Sequence, residues 1–427
     1  MAFILGPAQG HGQIDGTDGN DVLIARGSHN TITDDGGRNI VISGDGGHDS
    51  LHLGMPADPL LPLPPPGTPT LSDAVLLRGE GNTLLGGEAD FRILGLHGGN
   101  HITLGSGSND LRLFGEHNSV ELGRGDDSIH FFGGHASVVQ HGLAYGGAGT
   151  TTIQFTGTGN SLSVINDTPA ALGPARANVV ITGGDGQGSF GFAGAGTFSL
   201  RTHGEQNEVS TGTGRFDIAP GDGHDIVHLG FSARGGGASG TITLNGTHNT
   251  IDGSAGSVTV TGGDGHTTLD FRNGFSSSLN LMLGGSHNSL TNNIPTGGTI
   301  DMGEGDATLS LFGNSATITF HGAGNVATLD NANHGTINDR SDGLRLNVSS
   351  TPGLFSFTET VENFGADRGA VVALDAETTG YATAQSAYAA LHGDGMGNTV
   401  LDLPNAGELV FAGLSPTALH EDNFLIA

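Results

Sequence analysis

The chain has no cysteine, no tryptophan and no lysine among its 427 residues. Without cysteine, neither disulfides nor thiolate metal centres can brace the fold, so stability must come from packing, backbone pairing or bound hard cations. Without lysine, all 14 basic side chains are arginine, and they face 43 acidic ones for a formal charge of −29. Such a surface repels nucleic acid and anionic lipid, which both call for basic patches, and attracts divalent cations. No apolar run approaches the ~18 residues that span a bilayer, so neither nucleic-acid binding nor membrane insertion is expected. Met1-Ala-Phe-Ile-Leu5 runs into Gly6-Pro7 without the basic region and apolar core of a secretory leader. An export address is therefore expected elsewhere in the chain.

Glycine contributes 78 residues and proline 15, with no Gly-X-Y period, which excludes collagen and favours a turn-dense fold. Twenty histidines supply a second set of groups able to change charge in mild acid. One repeat reads Gly-x-x-Asn before a short alternating strand: Gly27-Ser-His-Asn30, Gly115-Glu-His-Asn118, Gly246-Thr-His-Asn249 and Gly285-Ser-His-Asn288. A companion reads Gly-Asp-Gly or a variant, as at Gly44, Gly123, Gly184, Gly221, Gly263 and Gly303. Between them stand strands such as Ser257-Val-Thr-Val260 and Ala316-Thr-Ile-Thr-Phe320, whose period of two marks half-buried strands. Asn or Gly recurring at one phase of each turn suits stacked rungs, so the expected fold is all-β: a parallel β-solenoid, of β-roll or β-helix type, with a small C-terminal capping module. Each rung is expected to hold about 18–20 residues and two strands, with a four-strand rung of about 40 as the alternative.

Four segments are expected: N-terminal rungs over 1–53, a Pro-rich insertion or linker over 54–75, the main solenoid over 76–350, and a cap over 351–427. The insertion is set by Met55-Pro-Ala-Asp-Pro-Leu-Leu-Pro-Leu-Pro-Pro-Pro-Gly67, which lacks the N–H groups a ladder needs. The cap includes a short helix at Ala382–Leu391.

Gly16-Thr-Asp-Gly-Asn-Asp21-Val-Leu23 resembles the calcium-binding nonapeptide of repeats-in-toxin proteins, and the segments ending at Leu51, Ile129 and Val227 are further matches. In such repeats glycines turn carbonyls toward a hard cation and the Asp adds a charged oxygen. The resemblance implies bound Ca2+ at Asp21, Asp49, Asp127 and Asp225, with Asp110 the nearest partner of Asp127. Gly188, Thr267 and Ala307 stand where Asp is expected, so those turns should close without metal. Gly393–Ala427 resembles the C-terminal region of family members exported by type I secretion. That implies an uncleaved C-terminal signal, a secreted or cell-surface location, and folding driven by calcium outside the cell.

No His-Glu-x-x-His zinc motif and no Gly-x-Ser-x-Gly elbow occur. His48/His52, His97/His101 and His224/His228 share an H-x₃-H spacing, but on a strand such residues lie about 13 Å apart and cannot share an ion. Arg92, Arg112 and Arg124 could face one groove, as a polysaccharide lyase or epimerase would require; solvated arginines are the simpler reading. Thr259/Thr261 and Thr317/Thr319 resemble ice-binding pairs, but the pairing does not persist along the sequence. The expected role is non-enzymatic: an extracellular matrix, surface-layer, biofilm or adhesive protein that self-assembles as a homo-oligomer, filament or layer or contacts cell-surface polysaccharide. The alternative is the polysaccharide-active enzyme.

Overall fold

The computed structural model describes all residues except 55–71, 106, 124, 143–148, 167–177, 194–195, 231–237, 272–277, 293–296, 313–314, 331–333, 350–356 and 404–406. The Pro-rich insertion and Arg124 lie outside the described residues. Two compact units are formed, Met1–Gly221 and Asp222–Ala427.

In each unit the strands alternate, an inward apolar side chain being followed by one on the outer face, which is most often polar, as period two requires. In the first unit, Leu23, Val41, Val75, Ile93, Leu111, Ile129, Ile153 and Ile181 occupy one inward column. Each is at most 3% exposed. Across from them, Ile14, Ile32, Leu51, Leu84, Ile102 and Val120 fill the inward column of a second sheet. Phe131 stacks on Phe155 at 5.3 Å within this core.

All the strand pairs that carry these columns are parallel, and successive strands along the chain alternate between the two sheets. A rung is thus two strands and two turns, as the spacing of the motifs predicts. Its usual length is 18 or 19 residues. Longer rungs of 24 and 34 residues return to the same register. The second unit follows the same plan, with Val227, Ile251, Leu269, Leu290, Leu309 and Ala327 buried in one sheet.

Strand pairing continues past residue 350, where the motifs fade: Arg345–Ser349 pairs with Val371–Leu374, and Phe357–Glu362 with Gly407–Ala412. Among the described residues, antiparallel pairing enters only at His392–Gly393, Thr399–Leu403 and Gly407–Ala412. The expected short helix is Ala384–Ala389, N-capped by Thr383 in a capping box with Ser386. Among the described residues no helix is long and apolar enough to cross a membrane.

Candidate functional site

The turn leading from the first sheet to the second ends, rung after rung, on one buried position. In the first unit it is held by Asn30, Asp49, Asn82, Asn100, Asn118, Asn160 and Asn207, and in the second by Asp225, Asn249, Asn288 and Asn325. The Gly-x-x-Asn motifs and the Gly-Asp-Gly motifs other than that at Gly123 are therefore the same turn on different rungs, whereas Gly123 leads to Asp127 at the opposite corner. Within each unit, the side-chain Oδ1 accepts the backbone N–H of the equivalent residue one rung earlier, as from Asn100 to Asn118 at 3.2 Å and from Asp225 to Asn249 at 3.2 Å. Ala136, Gly188, Thr267 and Ala307 lack the side chain but still donate their N–H to Asn160, Asn207, Asn288 and Asn325.

The choice between Asn and Asp follows from what the turn presents. Asn118 Nδ2 donates to the carbonyls of Phe114 and Gly115, both at 3.0 Å. At Asp49 the turn offers an N–H instead, and Oδ2 accepts from Gly44 N at 2.5 Å. Asp225 likewise accepts from Gly223 N at 3.2 Å. An amide meets carbonyls and a carboxylate meets N–H groups, each pairing satisfying a buried backbone group that would otherwise cost about 1–3 kcal/mol.

The opposite corner carries a second column of the same kind: Asp21, Asn39, Asp73, Asn109 and Asp127. Asp21 N donates to Asn39, Asn39 N to Asp73, and Asn109 N to Asp127. Asp110, which the spacing pairs with Asp127, is one residue out of this column. It is exposed on the outer face of the first sheet, between Arg92 and Ser128.

Calcium takes about six to eight oxygen ligands, so the carboxylates implied by the repeat resemblance can be tested for free oxygens. Both oxygens of Asp21 are occupied, by Ala2 N at 2.8 Å and by Thr17 N and Oγ1 at 2.6 and 2.7 Å. These bonds hold its carboxyl below the usual range, the Ala2 N–H foremost. Asp49 is filled in the same manner, by Asn30 and Gly44. Both carboxylates are thus already engaged by donors of their own and neighbouring turns. Asp127 differs: Oδ1 accepts from Asn109, but the buried Oδ2 has no partner among the described residues. Burial pushes its pKa up to about 6 against the pull of the Asn109 donors. Asp34 was not singled out by any motif, yet it points inward at 2% exposure, its Oδ2 also without a partner among the described residues. Burial, with Asp21 and Asp73 nearby, raises it to about 6. Its signal in the sequence is an acid at the last inward position of Thr31-Ile-Thr-Asp34. Among the described residues no three His, Asp or Glu side chains converge on one point.

The residue before the column position has positive φ, and histidine fills it at His11, His29, His48, His117, His135, His224, His248, His266 and His287. Histidine is among the few side chains that enter this region readily. Because rungs are about 4.8 Å apart, the imidazoles stack on the outside of the coil. His224, His248, His266 and His287 form one run with ring centroids 4.7–4.9 Å apart and planes within 11°. The hydroxyls of Thr247 and Ser286 fix two of these rings through Nδ1, each at 2.8 Å. The H-x₃-H pairs do not gather: His48 and His224 sit in this column, whereas His52 and His228 lie in strands of the second sheet.

In the first unit the stack is interrupted. After His48 the equivalent positions are Gly81 and Gly99, and the rings resume with His117 on His135 at 5.1 Å. The gap is a groove of about 560 Å³ lined by His48, Glu80, Gly81, Leu96, His97, Gly98, Gly99, Gly115, Glu116 and His117.

The outer faces are also columnar. In the first unit's second sheet, Thr31, Ser50, Thr83, His101, Ser119, Ser137, Ser161 and Ser189 stand in register. In the second unit's first sheet, Thr241 aligns with Thr259 and Asn280, and Thr299 with Thr317, Thr336 and Thr360. Asn280 Oδ1 joins the two runs by accepting from Thr299 N and Oγ1. The threonine column thus persists well beyond the two pairs evident in the sequence. Its companion does not: Thr261 is followed by Met282 and Asp301.

Arg92 and Arg112 lie on the outer face of the first sheet in neighbouring columns. Comparison with family models, with characterised proteins and with solved structures finds no match for this chain.

Proposed function

We propose that the protein is an extracellular structural or adhesive solenoid that holds a repeating hydroxyl-rich polymer, such as a cell-surface polysaccharide, and acts without catalysis. The observation that carries this reading is the pair of outward columns, one of seven hydroxyls and a histidine and the other of six threonines and an asparagine, in a chain of charge −29. A face that repeats every rung offers the same hydrogen-bond set at each step, and many weak contacts along one polymer add as avidity. Calcium enters as a counterion: it would neutralise exposed turn carboxylates and the free oxygen of Asp127, easing repulsion within a copy and between copies. Type I export and assembly into filaments or layers belong to the same reading.

The test is retention of the purified chain on a panel of neutral and acidic polysaccharides, with and without calcium, alongside electron microscopy for assemblies. Thr317→Glu with Thr336→Glu, which charges the threonine column, should lower retention. Equal retention of variant and parent would refute the polymer-binding role. Unsaturated products released from uronate polymers would instead establish a lyase.

A further inference from the structure

We propose that the interruption in the first unit's imidazole stack is a binding slot for a planar, positively charged aromatic group. Its end walls are ring faces. His29 and His48, 5.3 Å apart, close one side, and His117 and His135 close the other. Between His48 and His117 lie three rung steps, about 14 Å, from which two rings of the column are missing. Gly81 and Gly99 carry the same positive φ as the histidines, +68° and +71°, and the floor is open at Gly99, whereas the His48 ring already lies over Gly81, its Nδ1 2.8 Å from the position of an added Cβ. Added bulk at Gly99 would meet the backbone of Gly81 at ordinary contact distance, N at 3.5 Å and Cα at 3.7 Å.

The ligand class follows from the lining. Imidazole faces spaced for stacking accept a flat ring in the offset geometry that such pairs prefer. Glu80 and Glu116 line the same groove, so a cation is favoured and an anion repelled. Leu96, 42% exposed, supplies an apolar edge. A ligand of one or two fused-ring thicknesses would complete the column.

Proflavine, a flat cation with its own fluorescence, is a suitable probe for the full-length protein. Its binding should saturate at one or two molecules per chain. Gly99→His supplies a missing ring in a backbone conformation histidine already holds on neighbouring rungs, and it leaves the formal charge unchanged. It should weaken binding by about tenfold or more. Glu80→Gln with Glu116→Gln, both exposed, should weaken it in a salt-dependent manner while the far-ultraviolet circular dichroism stays that of the parent. Overturning results are an absence of saturable binding to the parent, or equal affinity in parent and Gly99→His, which would place the dye on the general acidic surface. Should Gly99→His fail to fold, unchanged affinity in the double Gln variant would overturn the proposal on its own. The slot stands or falls separately from the polymer-binding role.

Discussion

Replacing Asn118 by aspartate isolates the chemistry of the turn column, because the change swaps one NH₂ for one oxygen. Asn118 is 1% exposed. Its Nδ2 donates to two carbonyls at 3.0 Å, and its Oδ1 accepts from Asn100 N at 3.2 Å and Nδ2 at 2.9 Å. In Asn118→Asp the Oδ1 bonds survive, but two carbonyls lose their donor and an ionised oxygen faces both. At about 1–3 kcal/mol for each of the two orphaned acceptors, the variant should lose about 2–6 kcal/mol at pH 8. The introduced carboxyl is buried against carbonyls, so its folded pKa lies above its unfolded one. The penalty is then full above the folded pKa and shrinks as pH falls toward the unfolded value, where the protonated O–H again donates to one carbonyl. Asn118→Ala loses the same donors without gaining a charge, so its penalty should be nearly independent of pH. Urea unfolding of parent and both variants at pH 8 and pH 4.5, compared as differences from the parent at each pH, measures this. A penalty for Asn118→Asp that is absent, or equal at the two pH values, would refute the assignment of amides to carbonyl-presenting turns.

Burial pushes the Glu359 carboxyl up to about 7, against the Gly335 N–H it accepts at 2.9 Å. A raised folded pKa means stability is full below the unfolded value of 4.5 and is lost as pH rises through about 7. Glu359→Gln should therefore match the parent near pH 4 and exceed it at pH 8, by up to about 3 kcal/mol, in thermal melts across that range. Asp127 obeys the same sign, so the parent should be more stable at pH 5 than at pH 8 in calcium-free buffer. Millimolar calcium should raise the pH 8 melting temperature, and Asp127→Asn should blunt that rise. Gly246→Ala places a Cβ 1.8 Å from Asp222 O at a φ of +59°, and should cost on the order of 3 kcal/mol in urea unfolding. His248→Asn keeps a residue that tolerates this conformation and should leave stability within about 0.5 kcal/mol, whereas His248→Val should not.

Period-two strands separated by Gly/Asn turns were enough to read a two-strand rung, because each rung must bury its apolar face against the next. The turn column was legible only in halves. Gly-x-x-Asn and Gly-Asp-Gly look unlike one another in sequence because one turn presents carbonyls and the other N–H groups. Asp110 was misplaced for a related reason: Asn109 and Asp110 both carry side-chain oxygens, and only the inward phase of the strand selects Asn109. The threonine column at Thr241–Thr360 was hidden by rungs of unequal length, which move equivalent residues out of any fixed period. The slot at Gly81 and Gly99 had no positive signal, since it consists of side chains that are missing from a stack visible only once the rungs are superposed.

Because the chain has no cysteine, two can be placed at will. Thr83 and Ser119 are both in register with His101, hence two rungs apart on one face. Spin labels on Thr83→Cys and Ser119→Cys should show strong dipolar broadening, from backbones about 10 Å apart. A doubly labelled spectrum equal to the sum of the two singly labelled ones would contradict the stacked coil on which the columns, the slot and the polymer-binding faces depend.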